Sequence, residues 1–76
     1  MIYASEVMSL LAAHPRRPFR MIEVRRYVEV TIGAKDRQRR EAVRIGVGRV
    51  MVSLIQCGVV RKVNTDKRTL YEWTAT

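Results

Sequence analysis

The sequence predicts a single α+β domain that is mostly helical, with three or four helices followed by a C-terminal β-hairpin. Apolar residues recur at helical spacing before Gly58, most regularly between residues 38 and 58. After Gly58, two short runs of β-branched and aromatic residues flank a polar segment at residues 64–67, which is typical of a hairpin. The chain of 76 residues suffices for one small domain with a modest core, and we assign residues 1–76 to it.

Two helices are predicted before the central stretch, over residues 2–13 and 20–30. Pro15 ends the first helix, because proline disfavours a helical conformation of the residue that precedes it. The second segment is rich in β-branched residues, which lower helix propensity and raise strand propensity. A strand over residues 28–32 is therefore the alternative, and Gly33 ends the element in either case.

The stretch from residue 38 to residue 58 carries the most regular pattern in the chain. Its apolar side chains fall at i, i+4, i+7, i+8, i+11 and i+12, which is one stripe of a helix. Gly46 and Gly48 interrupt the stripe, and each glycine in a helix interior costs roughly 1 kcal/mol relative to alanine. Gly58 follows the stripe and is predicted to cap it in a left-handed conformation. The stripe consists of Val43, Val47, Val50, Met51, Leu54 and Ile55.

One arrangement of this stretch breaks the helix between Gly46 and Gly48. It gives a short helix over residues 36–45 and a second helix over residues 48–57. Asp36 is predicted to cap the first of these, because its carboxylate can accept a hydrogen bond from a free backbone N–H of the first turn.

The other arrangement is one long helix over residues 39–57, with residues 21–30 as the first helix of a pair. The apolar stripe supports this arrangement equally well. It leaves Ile45 and Val52 pointing away from the core, so it requires a further contact to cover them.

A short pattern in this stretch resembles the helix-turn-helix signature. In that family a small alanine lets two helices approach, a glycine makes the turn and later apolar residues seat the second helix. Val50 and Leu54 depart from the family, which often has polar, base-contacting side chains at these positions. The pattern consists of Ala42, Gly46, Val47, Val52 and Ile55.

The order of the predicted elements, helices and then a hairpin, resembles the winged helix-turn-helix family of small bacterial, phage and plasmid transcriptional regulators. The ending, where a glycine follows the last helix and an aromatic strand packs back, is similar to the wing of that family. The resemblance covers nearly the whole chain. It implies a sequence-specific double-stranded DNA-binding protein that regulates transcription, with the second helix of the pair in the major groove and a basic wing on the phosphate backbone or in the minor groove.

The same resemblance implies a possible homodimer. Two surfaces are predicted for that contact, either helix one with Tyr3, Val7 and Leu10, or the surplus apolar residues Ile45 and Val52. No small-molecule effector is evident in the sequence.

The charge of the chain is a further indication of a nucleic-acid partner. Fifteen Lys and Arg residues oppose seven Asp and Glu residues, so the formal net charge is +8. Most of the cations are arginines, whose forked guanidinium groups suit phosphate oxygens and base edges. A field of this size on a small domain attracts polyanions.

The predicted DNA contacts fall into three groups. Arg49, Ser53 and Gln56 share one helix face at i, i+4 and i+7 and are predicted to contact bases. Arginines at the start of the central stretch are predicted to hold phosphates, and cations of the hairpin to contact the backbone or the minor groove. These residues are Arg37, Arg39, Arg40 and Arg44 in the helix and Arg61, Lys62, Lys67 and Arg68 in the hairpin.

Two other classes of function fit parts of the sequence. A winged-helix protein–protein adapter or inhibitor that binds an acidic protein partner would explain the apolar residues Val50 and Leu54. RNA binding is a third interpretation. It is less favoured, because Tyr71 and Trp73 alternate on one strand face that is expected to pack on the core and therefore offer no exposed stacking platform.

The sequence predicts no enzyme, no cofactor and no metal site. One His and one Cys do not make the usual ligand set of a zinc site, and Cys57 is expected to be a small buried apolar residue. The segment at residues 46–48 lacks the rest of a phosphate-binding loop. A single Cys excludes an intrachain disulfide, and no run of residues has the character of a membrane helix or a secretory signal, so we expect a cytoplasmic protein.

Overall fold

Three helices and a three-stranded antiparallel sheet make up the computed structural model, which describes residues 1–75. The sheet order is β1-β3-β2, so the N-terminal strand adds to the outer side of the C-terminal hairpin. The prediction of a mostly helical α+β domain is confirmed, and the predicted C-terminal hairpin is present. The elements are α1 (Ala4–Ala13), β1 (Phe19–Arg20), α2 (Met21–Ile32), α3 (Arg37–Gln56), β2 (Val60–Asn64) and β3 (Thr69–Trp73).

Helix α3 is continuous through both glycines. The predicted break between Gly46 and Gly48 is therefore wrong, and the arrangement with one long helix, preceded by a helix near residues 21–30, is confirmed. Packing explains why the helix does not break at the glycines. The two glycines cost only roughly 2 kcal/mol in helix propensity, which the burial of apolar side chains exceeds. Each fully buried Val, Leu or Met side chain contributes about 1.5–3 kcal/mol. Five such side chains of α3 are buried, namely Val43, Val47, Val50, Met51 and Leu54.

The first turn of α3 begins as predicted. Asp36 is the N-cap with an extended backbone, and its Oδ1 accepts a hydrogen bond of 2.7 Å from the backbone N–H of Arg39. This bond satisfies one of the free N–H groups that every helix start exposes. At the other end, Gly58 has a φ of 81°, the left-handed conformation that glycine adopts without steric cost.

Gly46 is required by a close approach. A Cβ at this position would lie 2.5 Å from Cδ2 and 2.7 Å from Cε2 of Tyr3, so the ring of Tyr3 occupies the space that any other side chain would need. Tyr3 holds this place with a backbone φ of 69°, which is uncommon for a residue other than glycine. The glycine that the helix-turn-helix signature assigns to a turn therefore serves here as a contact between α3 and the N-terminal segment.

The core lies between the three helices and one face of the sheet. Val60 pairs with Trp73, and Phe19 pairs with Tyr71, so these four side chains share a face of the sheet and point toward the helices. Tyr71 and Trp73 are half-buried against the core, as expected from their alternation. The buried residues are Val7, Leu11, Phe19, Val24, Val28, Ala34, Val43, Val47, Val50, Met51, Leu54 and Val60.

Two local predictions are corrected by this packing. The alternative strand over residues 28–32 is wrong, because α2 continues to Ile32 and places Val24 and Val28, four residues apart, on the same buried face. Cys57 is exposed, although it was expected to be buried. It follows the last residue of α3, where the chain turns toward the hairpin and leaves the core.

The first turn of α2 is closed by Glu23. Its Oε1 accepts a hydrogen bond of 2.8 Å from the backbone N–H of Arg20 and lies 3.6 Å from Nε of the same residue. The pKa of Glu23 is lowered below the ordinary carboxyl value, chiefly by the backbone hydrogen bond from Arg20. Burial opposes this shift, and the charges of Arg20 and Arg17 lower the pKa further.

The two glycines of α3 should respond in opposite ways to replacement by alanine. Gly46→Ala forces the Tyr3 ring aside and should destabilise the protein by about 1 kcal/mol or more. Gly48→Ala is the matched control, because nothing lies within 4 Å of its added Cβ, and it should stabilise the fold by about 0.5–1 kcal/mol. Urea unfolding of both variants measures the difference. In a Tyr3→Ala background the cost of Gly46→Ala should disappear, and a cost that persists there would contradict the assigned contact.

Acid should weaken the start of α2. A lowered folded-state pKa stabilises the fold above the unfolded-state pKa, and this contribution is lost as the pH falls through the folded-state pKa. We therefore expect the stability of the wild type to fall more steeply than that of Glu23→Gln between about pH 5 and pH 3. Thermal unfolding at a series of pH values tests this, with Glu6→Gln in the first turn of α1 as the control. Parallel curves for the wild type and Glu23→Gln would refute it.

Candidate nucleic-acid interface

The exposed face of α3 lies opposite its buried stripe. Five exposed side chains follow one line along this face at i, i+7, i+11, i+14 and i+18, which is the spacing of a single helix side. We call this line the outward face of α3. It consists of Gln38, Ile45, Arg49, Val52 and Gln56.

Two of the three residues predicted to contact bases lie on the outward face. Arg49 and Gln56 are exposed, and Arg49 makes no ion pair within residues 1–75. Ser53 is half-buried at the edge of this face, so its hydroxyl is less accessible than predicted. Val50 and Leu54 are buried in the core, which explains why α3 is apolar where the helix-turn-helix family often has polar residues.

Four arginines near the start of α3 differ in their partners. Arg44 donates to Glu41 Oε1 through Nε at 3.0 Å and Nη2 at 2.5 Å. Arg39 lies 3.7 Å from Asp36, in an exposed ion pair. Arg37 and Arg40 make no ion pair in the described chain, so their guanidinium groups are available to an outside anion.

Glu41 is the centre of a positively charged group. The hydrogen bond from Arg44 lowers the pKa of Glu41 below its usual value and raises the pKa of Arg44, and the charges of Arg25 and Arg37 lower that of Glu41 further. Arg25 belongs to α2, so the charges that lower the pKa of Glu41 come from two helices. The carboxylate remains ionised at neutral pH and neutralises only one of these cations.

Arg25 of α2 is a cation that the predicted DNA contacts do not include. The residue is half-buried, and its Nε atom is buried without a hydrogen-bond partner among the described residues. The spacing in the sequence indicates this partial burial, because Arg25 lies four residues after Met21 and three before Val28, beside the buried face of α2. From this position the charge of Arg25 lowers the pKa of Glu41 on α3.

The hairpin tip is closed by its own polar side chains. Thr65 N–H donates to the carbonyl of Arg68 at 2.8 Å, and Arg68 N–H donates to Thr65 Oγ1 at 3.0 Å. Thr69 Oγ1 donates to Asn64 Oδ1 at 3.1 Å across the strand ends. These bonds hold Lys67 and Arg68 on a defined turn.

The four cations predicted in the hairpin are all exposed, but they are not equivalent. Lys62, Lys67 and Arg68 have no ion pair in the described chain. Arg61 donates to Glu72 directly across the β2–β3 pair. Arg61 therefore projects from the opposite sheet face to Lys62, and its charge is largely offset by Glu72.

The two surfaces predicted for a homodimer contact differ in exposure. Val7 of α1 is fully buried, and Tyr3 and Leu10 pack against the core, so α1 does not present the apolar surface expected of it. Ile45 and Val52 are 44% and 56% exposed, as the long-helix arrangement requires. The homodimer itself stays a prediction.

Comparisons with family models, with curated proteins and with solved structures give no match for this chain. Within residues 1–75, no helix combines the length and apolar character needed to cross a membrane. In the same part of the chain, no three His, Cys, Asp or Glu residues are grouped so that they could hold a metal ion.

Proposed function

We propose that this chain is a winged helix-turn-helix protein that binds double-stranded DNA sequence-specifically and regulates transcription. The observation that carries the proposal is the outward face of α3, where Arg49 and Gln56 are exposed and unpaired on a helix whose other side is fixed in the core. The order of helices and strands supports it, since a helix pair (α2 and α3) is followed directly by a hairpin with a basic tip. The net charge of +8 supports a polyanionic partner.

In the proposed complex α3 lies in the major groove, whose width of about 12 Å admits a helix. Arg49 donates two hydrogen bonds to O6 and N7 of a guanine, which is the commonest specific contact between proteins and DNA. Gln56, two turns further along the same face, pairs with an adenine or a phosphate. Arg37 and Arg40 at the start of α3 hold phosphates on the strand beside the groove.

The hairpin acts as the wing. Lys62, Lys67 and Arg68 contact the phosphate backbone or enter the minor groove. The hydrogen bonds of Thr65 keep the tip rigid, so that little conformational entropy is lost on binding. Arg61 contributes less, because Glu72 already holds its guanidinium group. A cytoplasmic location, where the chain would meet DNA, belongs to this proposal.

One observation favours the alternative of an adapter that binds an acidic protein. Ile45 and Val52 place two exposed aliphatic side chains near the middle of the outward face, and protein interfaces often have apolar centres with charged rims. The unpaired arginines limit this alternative to partners rich in carboxylates. Absence of DNA binding at low salt would favour it over DNA.

The first experiment is selection from a pool of randomised duplex DNA, followed by binding measurements at several salt concentrations. We expect an enriched sequence motif and an affinity that falls steeply as salt rises, because bound cations displace counterions from the phosphates. A palindromic motif would add a homodimer. A steep salt dependence without an enriched motif would remove the sequence-specific part of the proposal.

Two substitutions separate affinity from specificity. Arg49→Ala should relax the preference for one base pair of the motif, at a cost of about 1–3 kcal/mol for the best sequence. Lys67→Ala should weaken binding to all duplexes equally and lower the salt slope by about one.

The matched control is Arg16→Ala, which removes the same charge at the opposite end of β3, where the Arg16 N–H donates to the carbonyl of Trp73. This variant should change neither the motif nor the salt slope appreciably. If Arg16→Ala and Lys67→Ala have the same effect, the hairpin tip is no specific contact and the wing assignment is wrong.

A further inference from the structure

Two branched aliphatic side chains flank Arg49 on the outward face of α3. Ile45 is one turn before Arg49, and Val52 is one turn after it, so the three residues form a continuous line. Ile45 is 44% exposed and Val52 is 56% exposed. Between them, the surface at Gly48 is bare, since nothing lies within 4 Å of the place where a Cβ would stand.

Folding does not account for these two residues. Neither belongs to the core cluster, and the buried stripe of α3 is complete without them. A branched aliphatic side chain that stays in water gains little from folding, and its stiff χ1 angle lowers helix propensity slightly. Single exposed apolar residues are common. The informative feature is their position on either side of an unpaired arginine.

The charge of Arg49 distinguishes between two surfaces that could cover Ile45 and Val52, an apolar protein surface and a DNA major groove. An apolar protein surface packed over Ile45 and Val52 would also cover Arg49, and removing an unpaired guanidinium from water is costly. A DNA major groove offers Arg49 a guanine and offers an aliphatic side chain the C5-methyl group of thymine, the apolar group that base pairs present there. One surface of DNA therefore satisfies all three side chains.

The spacing agrees with the repeat of the double helix. Seven residues of an α-helix rise about 10.5 Å between Ile45 and Val52. Successive base pairs are separated by about 3.4 Å, so a helix that follows the groove places the two side chains about three base pairs apart. The position of Arg49 between them corresponds to a base pair inside that interval.

We propose that Ile45 and Val52 contact thymine C5-methyl groups in the major groove, on either side of a G·C pair contacted by Arg49. This inference rests on the proposed DNA-binding function and names the bases in its target. The expected site has two thymines about three base pairs apart with a G·C pair between them.

Uracil tests this directly, because it differs from thymine only by the absence of the C5-methyl group. The motif selected from the random pool is synthesised with thymine and, position by position, with uracil. At the two contacted positions, uracil should weaken binding about fourfold each, which is the effect of one buried methyl group. Uracil at thymines outside these positions should leave the affinity unchanged.

Variants connect the effect to the two side chains. In Ile45→Ala and in Val52→Ala, the corresponding uracil substitution should no longer weaken binding. Val30→Ala is the matched control, since Val30 is an 82% exposed valine on α2, and this variant should keep the full difference between thymine and uracil. Circular dichroism and thermal unfolding establish that the variants are folded.

The outcomes separate the two proposals. If the wild type binds the selected motif tightly but equally with thymine and with uracil at every position, the methyl contacts are wrong and the DNA-binding function stands. Loss of the thymine preference in Val30→Ala would also overturn the assignment to Ile45 and Val52. If the wild type binds no DNA, both the proposed DNA-binding function and the methyl contacts are wrong.

Discussion

Burial of one side of α3 is the constraint on which the rest of the structure depends. Val43, Val47 and Val50 are at most 1% exposed, and they lock the rotation of a 20-residue helix against α1, α2 and the sheet. Since side chains of a helix are fixed relative to one another, burying this stripe determines which residues face outward. The orientation of Arg49 and Gln56 is therefore a consequence of core packing, and the candidate interface requires no further contact to position these two side chains.

The sequence predicted this stripe correctly, but not the continuity of the helix. Propensity is local, and at Gly46 and Gly48 it favoured a break, whereas the hydrophobic energy that overrides it comes from parts of the chain distant in sequence. The role of Gly46 was equally out of reach. It depends on Tyr3, which lies far away in the sequence and has an uncommon backbone conformation. A pattern of glycines alone does not distinguish a turn from a close contact.

The sequence predicted the exposure of site residues where exposure follows from helix or turn spacing. It did not predict which cations form ion pairs with residues from other elements. Arg49 and the tip residues Lys67 and Arg68 are exposed as expected, because they lie opposite a stripe or on a turn. To predict the ion pair between Arg61 and Glu72, one would need the register of the hairpin. The polar segment between the two strands does not define that register. The effect of the Arg25 charge on the pKa of Glu41 was not predictable either, because it depends on how α2 packs against α3.

The core of this protein is apolar and its charges lie at the surface, and this separation affects which residues can be substituted without loss of the fold. No polar or charged residue within residues 1–75 is buried as a whole, so the fold is held by apolar contacts and by helix and strand hydrogen bonds. A net charge of +8 opposes compaction through self-repulsion, and the exposed pairs of Arg39, Arg44 and Arg61 with carboxylates relieve part of it. Most of the remaining cations are exposed, so water and salt screen their mutual repulsion and an outside anion can reach them. Because the outward face of α3 contributes little to the core, its residues can be exchanged with small effects on stability, and the chemistry of this face can change while the fold stays the same.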